Sequence, residues 1–533
     1  ILIWGNNLNE YNNMPGGGDQ NQFSEYQFLS NSGPIEFVDA DDDTMSRIQV
    51  YAHSWLGTSK DSTAIHGVTP IAGNANVVTG FRSNYYVDLT SGGVLNGSGT
   101  VQITPNTSSK SVSIDTYDFV SGEADFSVWG LNSFDSNFSQ LEVGNDLSNG
   151  LYSDKKLTLN NKVVFNSGSG TLNLTGSIVA TNLNLELKSG SGTGSVPALP
   201  LGTGGLVKSG SGSITLSGAN TYTGATTING GTLSVSGSLA DSTVVDVASG
   251  ATYQLASGDT IGGLQGAGGV DLAGNGLSVN ITDAGVSTTF SGVITGTGSA
   301  SSLTKSGSGT LKLSGANTYE GATTVETGVL EVSNASALAT STRGSSLNGT
   351  TIQQGGALHL AGGASAEDFV LNEQLALGSS AATGEAIIKL ISGSATIANP
   401  FELAGDSALE ALSGELLLND ITASSGAAMI TLSPSCGVAF TCDLRIGGNL
   451  SGSSGSVKTF LDSSSSAGSD GINLGSEKLI VNNNGIFTLS GASTVTGAVL
   501  VDSGDLQLAH VDALQSSDIT MQNGATYSFL TDF

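Results

Sequence analysis

Residues 208–235 read KSGSGSITLSGANTYTGATTINGGTLSV, and residues 305–332 read KSGSGTLKLSGANTYEGATTVETGVLEV. A third, worn copy, NNGIFTLSGASTVTGAVLVDSGDLQL, occupies residues 483–508. Inside each copy an alternating apolar pair returns after 19 residues. Ile214 and Leu216 are followed by Leu233 and Val235, Leu311 and Leu313 by Leu330 and Val332, and Phe487 and Leu489 by Leu506 and Leu508. Alternation marks a strand with one buried face, and a return after roughly 20 residues marks one coil of a stacked solenoid. Each unit then exposes an apolar face that only a neighbouring unit can cover. The expected fold is all-β, a right-handed parallel β-helix (β-solenoid), the hand being the usual one for parallel connections.

The words between the strands agree. SGAN at 217–220 and NGG at 229–231 supply Gly and Asn where the chain must turn. Asn-Gly also begins at Asn96, Asn149, Asn275, Asn348, Asn484 and Asn523, each beside a β-prone run. A hairpin explains any one of these singly, whereas three copies with a shared return fit stacked coils better.

The copy at 309–332, GTLKLSGANTYEGATTVETGVLEV, resembles the autotransporter-associated β-strand repeat of Gram-negative surface proteins. The likeness is close over about 80 residues and extends in style over about 370. It implies a secreted passenger, a β-helix that ends in a membrane-embedded β-barrel, and hence an extracellular adhesin, scaffold or carrier stalk. The sequence has no run of alternating ten-residue strands with aromatic girdles, so the expectation is a barrel cleaved or omitted, or another route to the surface. Ile1 is not preceded by Met or a basic segment, and any signal peptide is expected to have been removed.

Sixteen Lys and Arg against 45 Asp and Glu give a formal charge of −29, which argues against nucleic acid and anionic membrane surfaces as partners. Only 11% of residues are charged and 76 are Gly, so the expected surface is mostly Ser, Thr, Asn and Gly. Disorder is the rival reading of such a composition, but 38% hydrophobic residues placed in alternation can bury a core. No apolar stretch approaches the ~18 residues of a membrane-spanning helix.

Composition also divides the chain. Trp4, Trp55, Trp129 and most of the Tyr residues precede residue 155. Residues 1–155 are therefore expected to form a β-rich N-terminal unit, either a sandwich-like or a capping domain at the solenoid's end, because an open terminal coil is a sticky edge. Residues 156–340 read as regular solenoid, 341–480 as solenoid with degenerate coils and loop insertions, and 481–533 as C-terminal coils.

Chemistry is sparse. The four histidines, His53, His66, His359 and His510, lack partners at catalytic spacing. His53, Ser54 and nearby Asp43 or Asp61 could be drawn as a triad, but no nucleophile elbow or oxyanion motif frames them. The Gly-rich run GTGGLVKSGSG is followed by no GK[ST], and the repeats offer almost no Asp, Arg or aromatic residue for a sugar-cleaving groove. No catalytic residue, cofactor site or enzyme activity is expected. In VDADDDT, Asp39, Asp41 and Asp43 alternate like calcium ligands. Thr44 and Val50 break the EF-hand pattern, so a non-EF calcium site competes with a solvated acidic turn. Cys436 and Cys442 are the only cysteines; in an exported protein they suit a disulfide-closed loop better than a metal site, with no His close in sequence.

The functional expectation is an extracellular, cell-surface structural or adhesive protein with a rod-like β-helix, self-associating end to end into a filament or surface layer. The alternatives are a monomeric passenger adhesin that binds a host or cell-surface ligand, and a passenger enzyme with activity in residues 1–155.

Overall fold

The computed structural model describes residues 148–338 without interruption and, outside that run, strands and short flanking stretches between residues 36 and 529. Among the described residues there is no α-helix, and strand stacks on strand in parallel. The strands fall into two compact units, residues 1–257 and residues 258–533.

In the first unit one ladder runs through Phe138–Val143, Val163–Asn166, Leu185–Lys188, Leu206–Ser209, Thr226–Ile228 and Val244–Val247. A second runs through Gly150–Ser153, Thr171–Leu174, Thr193–Val196, Ser213–Leu216, Thr232–Val235 and Thr252–Leu255. A third face is pinned by Leu157–Leu159 on Ile178–Ala180 and, further along, by a bridge from Ala219 to Ser238. Successive strands of one ladder come from successive coils. The second unit repeats the plan, with Ser287–Phe290, Thr310–Leu313, Gly328–Val332, Gly356–Ala361, Ala386–Ser392 and Ser407–Ala411 in one ladder.

The 19-residue return is the strand register itself. Ile214 pairs with Leu233 and Leu216 with Val235; Leu311 pairs with Leu330 and Leu313 with Val332; Phe487 pairs with Leu506 and Leu489 with Leu508. Ile214, Leu216, Leu233 and Val235 are fully buried, while Thr215 between them stays half-exposed. Each such Leu contributes ~2 kcal/mol by leaving water. The corners need Gly where coils touch. Gly210 and Gly307, at the same place in two copies, have φ of 76° and 71°. A Cβ there would lie 2.0 Å from the Ser189 carbonyl oxygen and 2.4 Å from that of Ile281, so both the turn and the close approach exclude a side chain.

The aromatic content of residues 1–155 suggested a sandwich-like unit, but the described strands there pair in parallel. Glu36–Val38, Thr79–Ser83, Gly99–Pro105 and Phe138–Val143 follow one another in a ladder. Leu141 pairs with Val163 and Leu151 with Leu172, so these ladders run across the boundary expected near residue 155. Aromatic residues set how much room a core needs, whereas pairing direction follows from alternation and the spacing of turns. Between residues 341 and 480 the spacing stretches. Leu330 pairs with Leu358 and Leu358 with Ile388, so coils absorb extra residues while the strands stay paired, with one register shift between Leu360 and Ala361.

Leu216→Asp should place a charge in a dry row and lower stability by several kcal/mol, whereas Thr215→Asp on the outer face of the same strand should cost under about 1 kcal/mol. Urea unfolding of the two variants measures the contrast; equal losses would mean that the strand faces are misassigned.

Candidate functional site: polar anchors and outer face of the repeat

The alternation that buries Leu206 also directs Lys208 inward, between its register partners Leu187 and Ile228. Lys305 occupies the same place in the second copy, between Val279 and Val325. Both lysines are fully buried. Lys208 Nζ donates to the carbonyl oxygens of Ser209, Gly210 and Gly230 at 2.9, 3.0 and 3.0 Å. Lys305 Nζ donates to those of Ser306, Gly307 and Thr327 at 2.6, 2.8 and 3.3 Å. Each ammonium thus closes its own corner and reaches the corner of the next coil. Burial pushes both groups down from 10.5 to about 8, so they remain charged at neutral pH.

The Asn of SGAN is a second anchor. Asn220 Oδ1 accepts from the Leu199 N–H at 2.9 Å, and Nδ2 donates to the Ser238 carbonyl at 2.9 Å, so one amide joins three coils. Asn317 does the same between the Ile294 N–H at 2.8 Å and the Ala337 carbonyl at 2.5 Å. A third anchor pairs the buried hydroxyls of Tyr222 and Thr226 at 2.7 Å, and of Tyr319 and Thr323 at 2.6 Å. In the third copy Val481, Ser493, Val495 and Val499 stand at the positions of Lys208, Asn220, Tyr222 and Thr226. Tyr and Thr are replaced together by Val, which leaves no half of a buried hydroxyl pair without the other.

The outer face carries scattered charges, such as Glu142, Glu186 and the Lys188–Asp146 pair at 2.6 Å in the first unit, and a five-residue charged column in the second unit. Lys312, Glu331, His359, Lys389 and Glu410 are register partners in turn across five strands. Lys312 pairs with Glu331 at 2.9 Å and Lys389 with Glu410 at 2.5 Å. His359 sits between the two ion pairs. Burial lowers its pKa below 6.5 and Lys389 lowers it further, against a smaller upward pull from Glu331 and Glu410.

Asp39, Asp41 and Asp43 lie outside the described residues, as do Cys436, His53, Ser54, Asp61 and His510. Cys442 opens the strand Cys442–Gly452, and His66 ends Ala64–His66. Among the described residues no three His, Cys, Asp or Glu side chains gather where they could hold a metal, and no helix is long and apolar enough to cross a membrane. Sequence reasoning missed the inward lysines, although the signal was there: each stands two residues after an inward Leu. It also missed the charged column, because the longer coils separate its members by unequal steps.

The family model of the passenger-associated transport repeat matches residues 206–235, 303–332 and 479–508. The chain is also 32% identical, over 180 residues, to the adhesin BmaC autotransporter of Brucella suis biovar 1 (strain 1330). The aligned part covers 31% of this chain and 5% of that relative, so the chain spans a small fraction of the relative's length. No solved structure matches the chain.

Two measurements test the anchors. Asn317→Ala should cost about 2–4 kcal/mol in urea unfolding, since it leaves a buried N–H and a buried carbonyl in different coils without their partner; a loss under about 0.5 kcal/mol would contradict the bridging role. The lysines give a pH signature. With folded values near 8 and ordinary values of 10.5, the unfolded chain binds more protons across that window, so their contribution makes stability rise with pH. The rise should shrink in Lys208→Met/Lys305→Met; identical slopes would mean that the carbonyl oxygens hold both ammonium groups at their ordinary value.

Proposed function

From a chain that is an autotransporter-passenger β-repeat protein, exported to the surface of a Gram-negative cell, we propose an adhesive role exerted through surfaces rather than through bond-making chemistry. The observation that carries this reading is the division of labour in the first two matched repeats. Their lysine, asparagine and tyrosine–threonine anchors face inward and tie coil to coil, leaving most outer positions to Ser, Thr and Gly, with Lys312 and Glu331 among the exceptions in the second. The relative that is 32% identical over 180 residues carries the name adhesin, which supports the same reading. A surface of small hydroxyl-bearing residues offers few aromatic or Arg anchors, so binding energy must come from many weak contacts repeated along the coils.

End-to-end self-association is the finer form of the proposal. Tyr527 and Phe529 continue the rows of Leu506 and Leu508, yet they are 51% and 59% exposed, and their rings meet edge to face. Whatever strand stacks next on this one covers them as Leu506 and Leu508 are covered; in the end-to-end form that strand belongs to a second copy.

Display of this chain on a heterologous outer-membrane barrel tests the adhesive role. Cells carrying it should adhere to glycan- and matrix-protein-coated surfaces several-fold better than cells carrying the barrel alone. Equal adhesion across the panel would contradict the proposal.

A further inference from the structure

The charged column of the second unit is unusual in a chain with 11% charged residues. It begins after Thr289, the register partner of Lys312, and ends before Ser433, the register partner of Glu410. Between these hydroxyl residues the order is Lys312, Glu331, His359, Lys389, Glu410. Read from one end it runs plus, minus, imidazole, plus, minus. Read from the other it runs minus, plus, imidazole, minus, plus. The column is therefore the complement of its own reversal.

We propose that this column is the contact line of a two-fold dimer of the chain, in which a second copy lies face to face on the same sheet with its column reversed. Strands ~4.8 Å apart spread the five groups over roughly 19 Å. A two-fold axis lying in the interface, along the strand of His359, places Lys312 against the partner's Glu410, Glu331 against the partner's Lys389, and His359 against the partner's His359. An axis along the column would instead set every charge on its own kind, which like-charge repulsion disfavours. The side chains are within reach of a partner, since Lys312, Glu331, Lys389 and Glu410 retain 40%, 15%, 27% and 24% of their exposure. The pairs within one copy need not break. Each carboxylate has further acceptor sites and each ammonium three donors, so the pairs join into a shared network.

An apolar shoulder runs beside the charges. Val329, Ala357 and Ile387 are register partners on the same face, each two residues before Glu331, His359 and Lys389. Val329 and Ile387 are only half-buried, and a facing copy would take both out of water.

The position of His359 makes the contact acid-sensitive. Glu331 faces it from one neighbouring strand and Lys389 from the other, with Lys312 and Glu410 one strand further out. On the axis, protonation sets two imidazolium rings against each other while Lys389 stands beside each. Above the imidazole pKa the column is neutral and self-complementary; below it the dimer weakens.

The proposal rests on the passenger reading only for its setting, because purified chain suffices to test it. Sedimentation velocity at pH 7.5 should show a monomer–dimer equilibrium that weakens at high salt and at pH 5. Lys312→Glu/Lys389→Glu and Glu331→Lys/Glu410→Lys should each weaken self-association at least about tenfold, and an equimolar mixture should restore it as a heterodimer. His359→Cys should give a disulfide-linked dimer under mild oxidation that neither the parent chain nor Thr289→Cys gives. A mixture that associates no better than its components would overturn the proposal, and so would cross-linking of Thr289→Cys as ready as that of His359→Cys. Far-UV circular dichroism checks each fold; if the charge variants do not fold, the cysteine comparison decides alone. Surface adhesion is not read in any arm, so a monomer here leaves the adhesive reading standing.

Discussion

In a parallel solenoid the nearest lateral neighbour of a residue is the residue one coil away, and the rest of this structure depends on that constraint. Ile214 meets Leu233 and Leu311 meets Leu330 because backbone hydrogen bonds hold the coils in fixed register. Like stacks on like, so a row is apolar or polar along its length. A corner that admits only glycine, such as Gly210, is one consequence, since the carbonyl of the preceding coil occupies the space a side chain would need.

A polar group in an inward row must satisfy itself along the stack. The anchors solve this in three ways. The Lys208 and Lys305 ammonium groups are met by three carbonyl oxygens each, Asn220 and Asn317 bridge the coils on either side, and Tyr222 and Tyr319 each meet a threonine hydroxyl. Such groups add little net stability compared with apolar replacements. Their value is specificity: a coil shifted by one residue would strand a charge or an amide inside the core, so register errors become costly. The third copy, with Val495 and Val499 in place of the tyrosine–threonine pair, retains the same pairing from Phe487 to Leu506. Alternation alone therefore suffices to stack a coil.

The backbone plan was legible in the sequence because it depends on periodicity, which a reader can count. The apolar pairs of all three copies stand in the register their spacing implied. What was not legible depends on three-dimensional neighbours. Lys208 looked like a surface charge until its row was seen to contain Leu187 and Ile228. The column through His359 is invisible in one dimension, because Glu331, His359 and Lys389 are separated by coils of different length. The aromatic content of the first 155 residues was read as a change of architecture, and it did not prevent parallel pairing there. The acidic residues Asp39, Asp41 and Asp43 and the cysteine Cys436 fall outside the described residues.

The central claim, that residues one coil apart are direct neighbours, is tested most directly by paired spin labels on the outer face. Thr215 and Ser234 are register partners, and Gln254 is the partner of Ser234 one coil further on. Labels at 215 and 234 should sit about 5 Å apart and show strong exchange broadening, whereas labels at 215 and 254 should sit about 10 Å apart and show only dipolar broadening. Spectra of the first pair that equal the sum of the two singly labelled chains would contradict the stacked-coil account.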